Sequence, residues 1–156
     1  MGYRFVPLRG RDAAAVARWR YPGAYAFYNG TLREMLLVWL AQVGLRLFGR
    51  TIYYAVLGPR GELMGIFSFV PRGSTVEIGL GMRPDLTGHG AGREFLEAGL
   101  EFARQQLAPE SFRLDVARFN ERAIRVYERA GFVATHTFER WVGGKAYEFV
   151  EMVRDV

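Results

Sequence analysis

The sequence predicts an α/β (α+β) fold built on one mixed, twisted sheet with helices on both faces, in the order βααβββαβαββ. Three observations carry this. Hydrophobic spacing changes from helical to alternating at Thr51, two Pro/Gly turns then separate three consecutive strand-like runs, and the later strand-like runs alternate with amphipathic stretches. At 156 residues, half of them apolar, the chain is long enough for one domain with its own core, expected to span 1–156.

Tyr3 to Leu8 alternates as a short strand. Asp12 is expected to cap a helix running to about Arg20, where Tyr21-Pro22-Gly23 breaks it. Thr31 is the expected N-cap of a second helix through Phe48, in which Leu32, Leu36, Trp39, Leu40, Val43 and Leu47 recur at helical spacing. Arg33, Glu34, Gln42 and Arg46 interrupt that apolar run, which argues against a membrane span of about 20 nearly uncharged positions. Thr51 to Leu57, Glu62 to Val70 and Thr75 to Met82 read as an antiparallel meander, divided by Gly58-Pro59-Arg60-Gly61 and Pro71-Arg72-Gly73. From Arg93, residues Phe95, Leu96, Gly99, Leu100, Ala103 and Leu107 give a helix one apolar face, suited to covering a sheet. Phe112 to Ala117 is a short strand, and Asn120 caps a helix that Gly131 ends. Phe132 to Val142 and Lys145 to Val153, joined by Gly143-Gly144, form a terminal hairpin.

Composition removes several kinds of chemistry. The chain has no cysteine, which excludes disulfides, thiolate metal sites and a cysteine nucleophile, and His89 and His136 alone cannot build a histidine-rich cage, so no metal is expected. The net charge of +5 would suit RNA, a membrane surface or a phosphorylated cofactor, and charge alone does not choose among them. Only Lys145 is lysine, and the arginines are spread without a block, as on an ordinary solvated surface; a nucleic-acid partner is disfavoured. Met1 to Val6 shows neither a charged-apolar-small leader nor the Ser or Thr of a myristoylation signal, so a cytoplasmic location is expected.

Gly88-His89-Gly90-Ala91-Gly92 stands between a strand and a helix. Without Cβ atoms the backbone N–H groups there can converge on an anion, backed by the positive end of the helix dipole. A tight turn that needs glycine only for positive φ fits the same residues. The loop lacks the Gly-Lys-Ser/Thr ending of a P-loop, and Arg93 stands where a dinucleotide fingerprint wants glycine.

Downstream, Asn120 is followed by Tyr127 and then by Gly131-Phe132. Together with Thr87-Gly88-His89-Gly90-Ala91-Gly92, this stretch from Thr75 to Phe132 resembles the core of the GNAT superfamily of acyl-CoA-dependent N-acyltransferases. The first motif is similar to the family's Gln/Arg-x-x-Gly-x-Gly/Ala loop, with Thr87 in place of the long side chain and Arg93 available to compensate. The resemblance implies a sheet splayed between the fourth and fifth strands, with acetyl-CoA or coenzyme A in the cleft as co-substrate. Gly79, Gly81 and Pro84 give that splay a cause in the sequence. It implies backbone contacts from Leu80, Gly81 and Met82 to the pantetheine, one N–H of which also holds the oxyanion, and a pyrophosphate on the N–H groups of His89 through Arg93.

The resemblance further implies that Asn120 hydrogen-bonds the pantetheine arm and that Tyr127 is the general acid protonating the departing thiolate. A phenol near 10 and a thiol near 8.5 are close enough for that transfer. A core tyrosine packing on the sheet is the competing reading of Tyr127. The base is left open between Asp115, at the position where ribosomal-protein alanine N-acetyltransferases carry a glutamate acting through water, and Glu77 on the preceding strand. Either carboxylate also reads as a surface residue paired with an arginine. Trp19, Tyr21, Tyr25, Phe27 and Tyr28 crowd the region that frames the acceptor in this superfamily, as an aromatic wall or as core packing.

The expected activity is transfer of an acetyl group from acetyl-CoA to a primary amine, either a small molecule, a peptide or a protein N-terminus, by direct attack. A non-catalytic acyl-CoA-binding or sensing domain is the alternative, and a homodimer is compatible with the sequence.

Overall fold

The computed structural model describes residues 2–30, 34, 37, 40 and 51–156. Seven strands lie in the order β1-β2-β3-β4-β5-β7-β6. They are β1 Arg4–Pro7, β2 Ile52–Leu57, β3 Leu63–Arg72, β4 Thr75–Met82, β5 Ser111–Ala117, β6 Val133–Val142 and β7 Lys145–Asp155, with helices α1 Gly10–Val16, α2 Gly92–Leu107 and α3 Glu121–Arg129. Short 3-10 turns occupy Gly23–Tyr28 and Pro84–Leu86. The mixed sheet and the order of its strands and helices are those the sequence predicts. The helix expected from Thr31 to Phe48 lies outside the described residues, apart from Glu34, Leu37 and Leu40, which are helical and exposed.

The chain divides into two compact units, Met1–Val70 with Leu80–Ala91, and Pro71–Gly79 with Gly92–Val156. In the first, β1 pairs antiparallel with β2 from Arg4↔Leu57 to Pro7↔Tyr54, and β2 with β3 from Ile52↔Phe69 to Leu57↔Leu63. Leu8, Ala13 and Ala55 form a buried cluster under Val6, Tyr53, Leu63 and Ile66. Phe67 stacks on Phe69 with ring centroids 5.6 Å apart.

Helix α1 begins earlier and is shorter than expected. Asp12 is not its cap but a buried residue in its first turn, where Oδ2 accepts the Arg9 N–H at 3.1 Å and both carboxylate oxygens take the Arg9 guanidinium, at 2.7 and 3.1 Å. A carboxylate at that position satisfies the donor preceding the helix as well as a cap would, and the arginine gives both of its oxygens a partner where it is buried.

In the second unit the parallel pairing of β4 with β5 runs from Thr75↔Ser111 to Glu77↔Arg113, while β4 continues to Met82 and β5 to Ala117. The two strands start latched, with Thr75 Oγ1 and Ser111 Oγ 2.8 Å apart. β5 then pairs antiparallel with β7 along its whole length. β6 and β7 form the terminal hairpin, turned at Gly143 (φ +59°) and Gly144 (φ +79°), a two-residue turn that needs both residues left-handed. Along β5, Phe112, Leu114 and Val116 are buried, and α2 buries Phe95, Leu96, Leu100 and Ala103, so strand period 2 and helix period 3.6 each give one apolar face. Arg104 of α2 lies over the Phe112 ring, 5.6 Å from its centroid.

Leu100 has no exposed surface. Leu100→Ala is expected to destabilise the protein by about 2–5 kcal/mol, read from the shift of its urea unfolding midpoint.

Candidate active site

In the first unit, β4 ends against the loop that follows α1. The Tyr21 hydroxyl donates to the Met82 carbonyl at 2.7 Å, and the next N–H, that of Arg83, donates to the Met64 carbonyl at 2.8 Å. Both polar ends of the peptide joining Met82 to Arg83 are therefore held. Leu80, Gly81 and Met82 are half-buried, and a Cβ at Gly81 would stand 3.6 Å from Ile66 and 3.8 Å from the Tyr21 hydroxyl oxygen, ordinary contacts that leave space for one. Beyond them Arg83 donates to the Leu63 carbonyl and forms a bidentate pair with Asp85 at 2.6 and 3.0 Å. Its guanidinium holds the Asp85 carboxyl below the ordinary value. Thr87 turns its hydroxyl back onto the Pro84 carbonyl at 2.7 Å, so this side chain closes its own turn.

Gly88 and Gly90 are left-handed, at φ +79° and +83°, and the stretch Gly88 to Gly90 is exposed. Gly92, in the second unit, is needed for a different reason: a Cβ there would come within 3.3 Å of Val126 on α3. The glycines thus have local conformational and packing causes, and the turn leads into a helix of 16 residues whose N-terminus is a fitting seat for an anion. Ala91 is half-buried, and His89 and Arg93 are exposed beside them.

Helix α3 is closed at both ends. Asn120 Oδ1 accepts the Ala123 N–H at 3.2 Å. At the other end Gly131, at φ +87°, gives its N–H to the Glu128 carbonyl, and Phe132 gives its N–H to the Tyr127 carbonyl. These two bonds are a Schellman motif, and its usual apolar contact is here Phe132 edge-on to Tyr127, ring centroids 6.1 Å apart. Asn120, Gly131 and Phe132 each have a structural role, and all three bear on the placement of Tyr127.

The carboxylates Glu77 and Asp115 are brought into one network in the second unit. Glu77 Oε2 is 3.6 Å from both Arg72 Nε and Arg113 Nη2. Asp115 Oδ2 is 2.8 Å from Arg140 Nη2 and 3.8 Å from Arg113 Nη2, and its side chain is only 7% exposed, so it is no surface residue. Arg113 Nε is 3.2 Å from Glu151 Oε2 but makes no hydrogen bond among the described residues. Asp115 Oδ1 is buried without a hydrogen-bond donor among the described residues. Arg140 also lies 4.6 Å from the Phe149 ring centroid. His136 sits on β6 with Nδ1 3.5 Å from Glu151 Oε1. Arg113, Arg140 and Glu151 were not anticipated; alternation along β5 put Arg113 beside Asp115, but the β5–β7 register brings in Glu151 and the pairing of β6 with β7 brings in Arg140. Among the described residues no group of three His, Cys, Asp or Glu could hold a metal, and no helix is long and apolar enough to cross a membrane.

The chain matches the family described as Acetyltransferase (GNAT) domain over residues 3–133. It belongs to that family. The mycothiol acetyltransferase of Propionibacterium freudenreichii subsp. shermanii is 43% identical to this GNAT chain over 67 residues, which are 43% of this chain and 20% of that protein, so the chain spans about a fifth of that relative. Among solved structures, a chimera of the spermidine N-acetyltransferase of Vibrio cholerae superposes with a TM-score of 0.82 at 17% identity, covering 99% of this chain and 96% of the other. The Vibrio cholerae enzyme in complex with CoA and spermine superposes with a TM-score of 0.80 at 16% identity, covering 98% and 95%. At those identities the likeness is one of fold.

The two caps of α3 can be tested separately. Asn120→Ala, which removes the N-cap acceptor, and Gly131→Ala, which forces a side chain into the left-handed region, are each expected to cost about 1 kcal/mol in denaturant unfolding.

Proposed function

We propose that this GNAT chain transfers an acetyl group from acetyl-CoA to a primary amine by direct attack. The reading is carried by one observation, the phenol-bearing residue Tyr127 held on a short helix whose two ends are both capped. In this proposal Leu80, Gly81 and Met82 present backbone groups to the pantetheine, the Met82 carbonyl with one of its two lone pairs already taken by the Tyr21 hydroxyl. His89 through Arg93, from the turn with Gly88 and Gly90, take the pyrophosphate on backbone N–H groups. Thr87 contributes only through its turn, and Arg93 supplies charge.

The amine nitrogen attacks the thioester carbonyl carbon, forming the C–N bond and an oxyanion held by an N–H of β4. Collapse breaks the C–S bond, and the Tyr127 hydroxyl gives its proton to the leaving thiolate and regains one from solvent. The proton lost by the amine goes to a carboxylate. Asp115 is preferred over Glu77 because its Oδ1 is buried and has no donor among the described residues, the seat an N–H or an ordered water would fill. Asn120 uses Oδ1 as the helix cap, so the Nδ2 end of its amide is proposed for the pantetheine. Polyamines, amino-terminal peptides and small apolar amines are all primary amines that this chemistry would accept.

Tyr127→Phe keeps the ring against Phe132 and removes the acid. Thermal stability and CoA affinity are expected to stay within error and twofold of wild type, while kcat falls about 10²- to 10⁴-fold. Unchanged turnover of an identified acceptor would overturn the assignment. Asp115→Asn is expected to lower kcat at least tenfold and Glu77→Gln to leave it within about twofold, with the thermal unfolding of each variant checking its fold.

A further inference from the structure

The segment after α1 is a closed loop that carries aromatic rings to the end of β4. Arg20 Nη1 donates to the Ala17 carbonyl at 2.9 Å and the Trp19 carbonyl at 2.7 Å, and Asn29 Oδ1 accepts the Tyr21 N–H at 2.7 Å. Tyr21 then ties the loop to Met82. Trp19, Tyr21, Tyr25 and Phe27 are half-buried and Tyr28 is 40% exposed, with Phe27 and Tyr28 edge to face at 5.0 Å. None of these rings is fully buried, and five aromatics stand within ten residues.

Charge in this part of the chain is one-sided. Residues 13–30 contain no carboxylate, and the first fifty residues hold Asp12 and Glu34 against eight arginines. Asp12 is buried and bound by Arg9. A polyamine carries several ammonium groups, each of which must exchange its hydration for a carboxylate or pay the loss, and exposed arginines such as Arg18 repel it. Aromatic rings offer a different partner: they stack on another ring or an apolar body, and one ammonium at its end gains from their faces.

We infer that the acceptor is a primary amine carried on an aromatic or large apolar body, seated on the Trp19–Tyr28 loop, and not a polyamine. The inference rests on the acetyl-transfer reading for its chemistry, but it is a statement about binding and can be tested without turnover. Tyr21 acts as a positioning residue, since its hydroxyl joins the acceptor loop to the strand proposed to hold the donor.

The test compares phenethylamine with spermidine on the whole protein saturated with CoA, by calorimetric titration at one ionic strength, together with initial rates of acetylation. Phenethylamine is expected to bind at least tenfold more tightly than spermidine. Tyr25→Ala and Tyr28→Ala should each weaken phenethylamine at least fivefold and leave the Kd for CoA within twofold; Tyr28, being exposed, keeps the test open should the first variant fold poorly. Spermidine binding as tightly as phenethylamine, or phenethylamine binding that neither variant alters, or no measurable binding of phenethylamine, overturns the inference. Phenethylamine bound as expected but never acetylated retains the acceptor class and removes the transfer reading. Efficient acetylation of spermidine in preference does the reverse.

Discussion

Helix α3 is nine residues long and contains no fully buried side chain, so beside its contact with α2 at Val126 it depends on its ends. Asn120 satisfies one of the N-terminal donors, and Gly131 with Phe132 satisfies the carbonyls of Tyr127 and Glu128 at the other end. Because Phe132 also packs edge-on against Tyr127, the group that terminates the helix is the same group that orients the phenol. The Asn–Tyr–Gly–Phe pattern is therefore a mechanical unit. Three of its four residues build the support, and the Tyr127 hydroxyl is what the support delivers.

The carboxylates on β4, β5 and β7 follow a different logic. Glu77, Asp115 and Glu151 lie among Arg72, Arg113 and Arg140, so the cluster carries balanced charge and attracts no cation as a whole. What distinguishes Asp115 is local. One oxygen is held by Arg140 at 2.8 Å and the other is buried without a donor. A buried acceptor left unmatched costs free energy on the order of 1–3 kcal/mol until water or a ligand meets it, which is a reason to look there for the path of a proton.

The glycine loop shows how one composition serves several ends. Gly88 and Gly90 supply left-handed backbone, and Gly92 lets α2 approach Val126. Neither need involves a ligand. The anion proposed for the loop rests instead on membership of the acetyltransferase family and on the helix N-terminus that follows in the chain.

The sequence by itself determined whatever depends on neighbours within a few residues. The β2–β4 meander, the Gly143-Gly144 hairpin, the Asn120 cap and the Gly131 stop were all legible, because turn residues, caps and periodicity act over one or two turns of chain. Asp12 is not the cap it reads as even at short range, since Arg9, three residues before it, changes what its carboxylate binds. The tertiary structure alone decided the rest. Tyr21 and Met82 are 61 residues apart, and Arg140 reaches Asp115 only because β6 and β5 both pair with β7. Strand register sets such meetings, and register is settled by the summed burial of whole faces, which no single stretch of residues encodes.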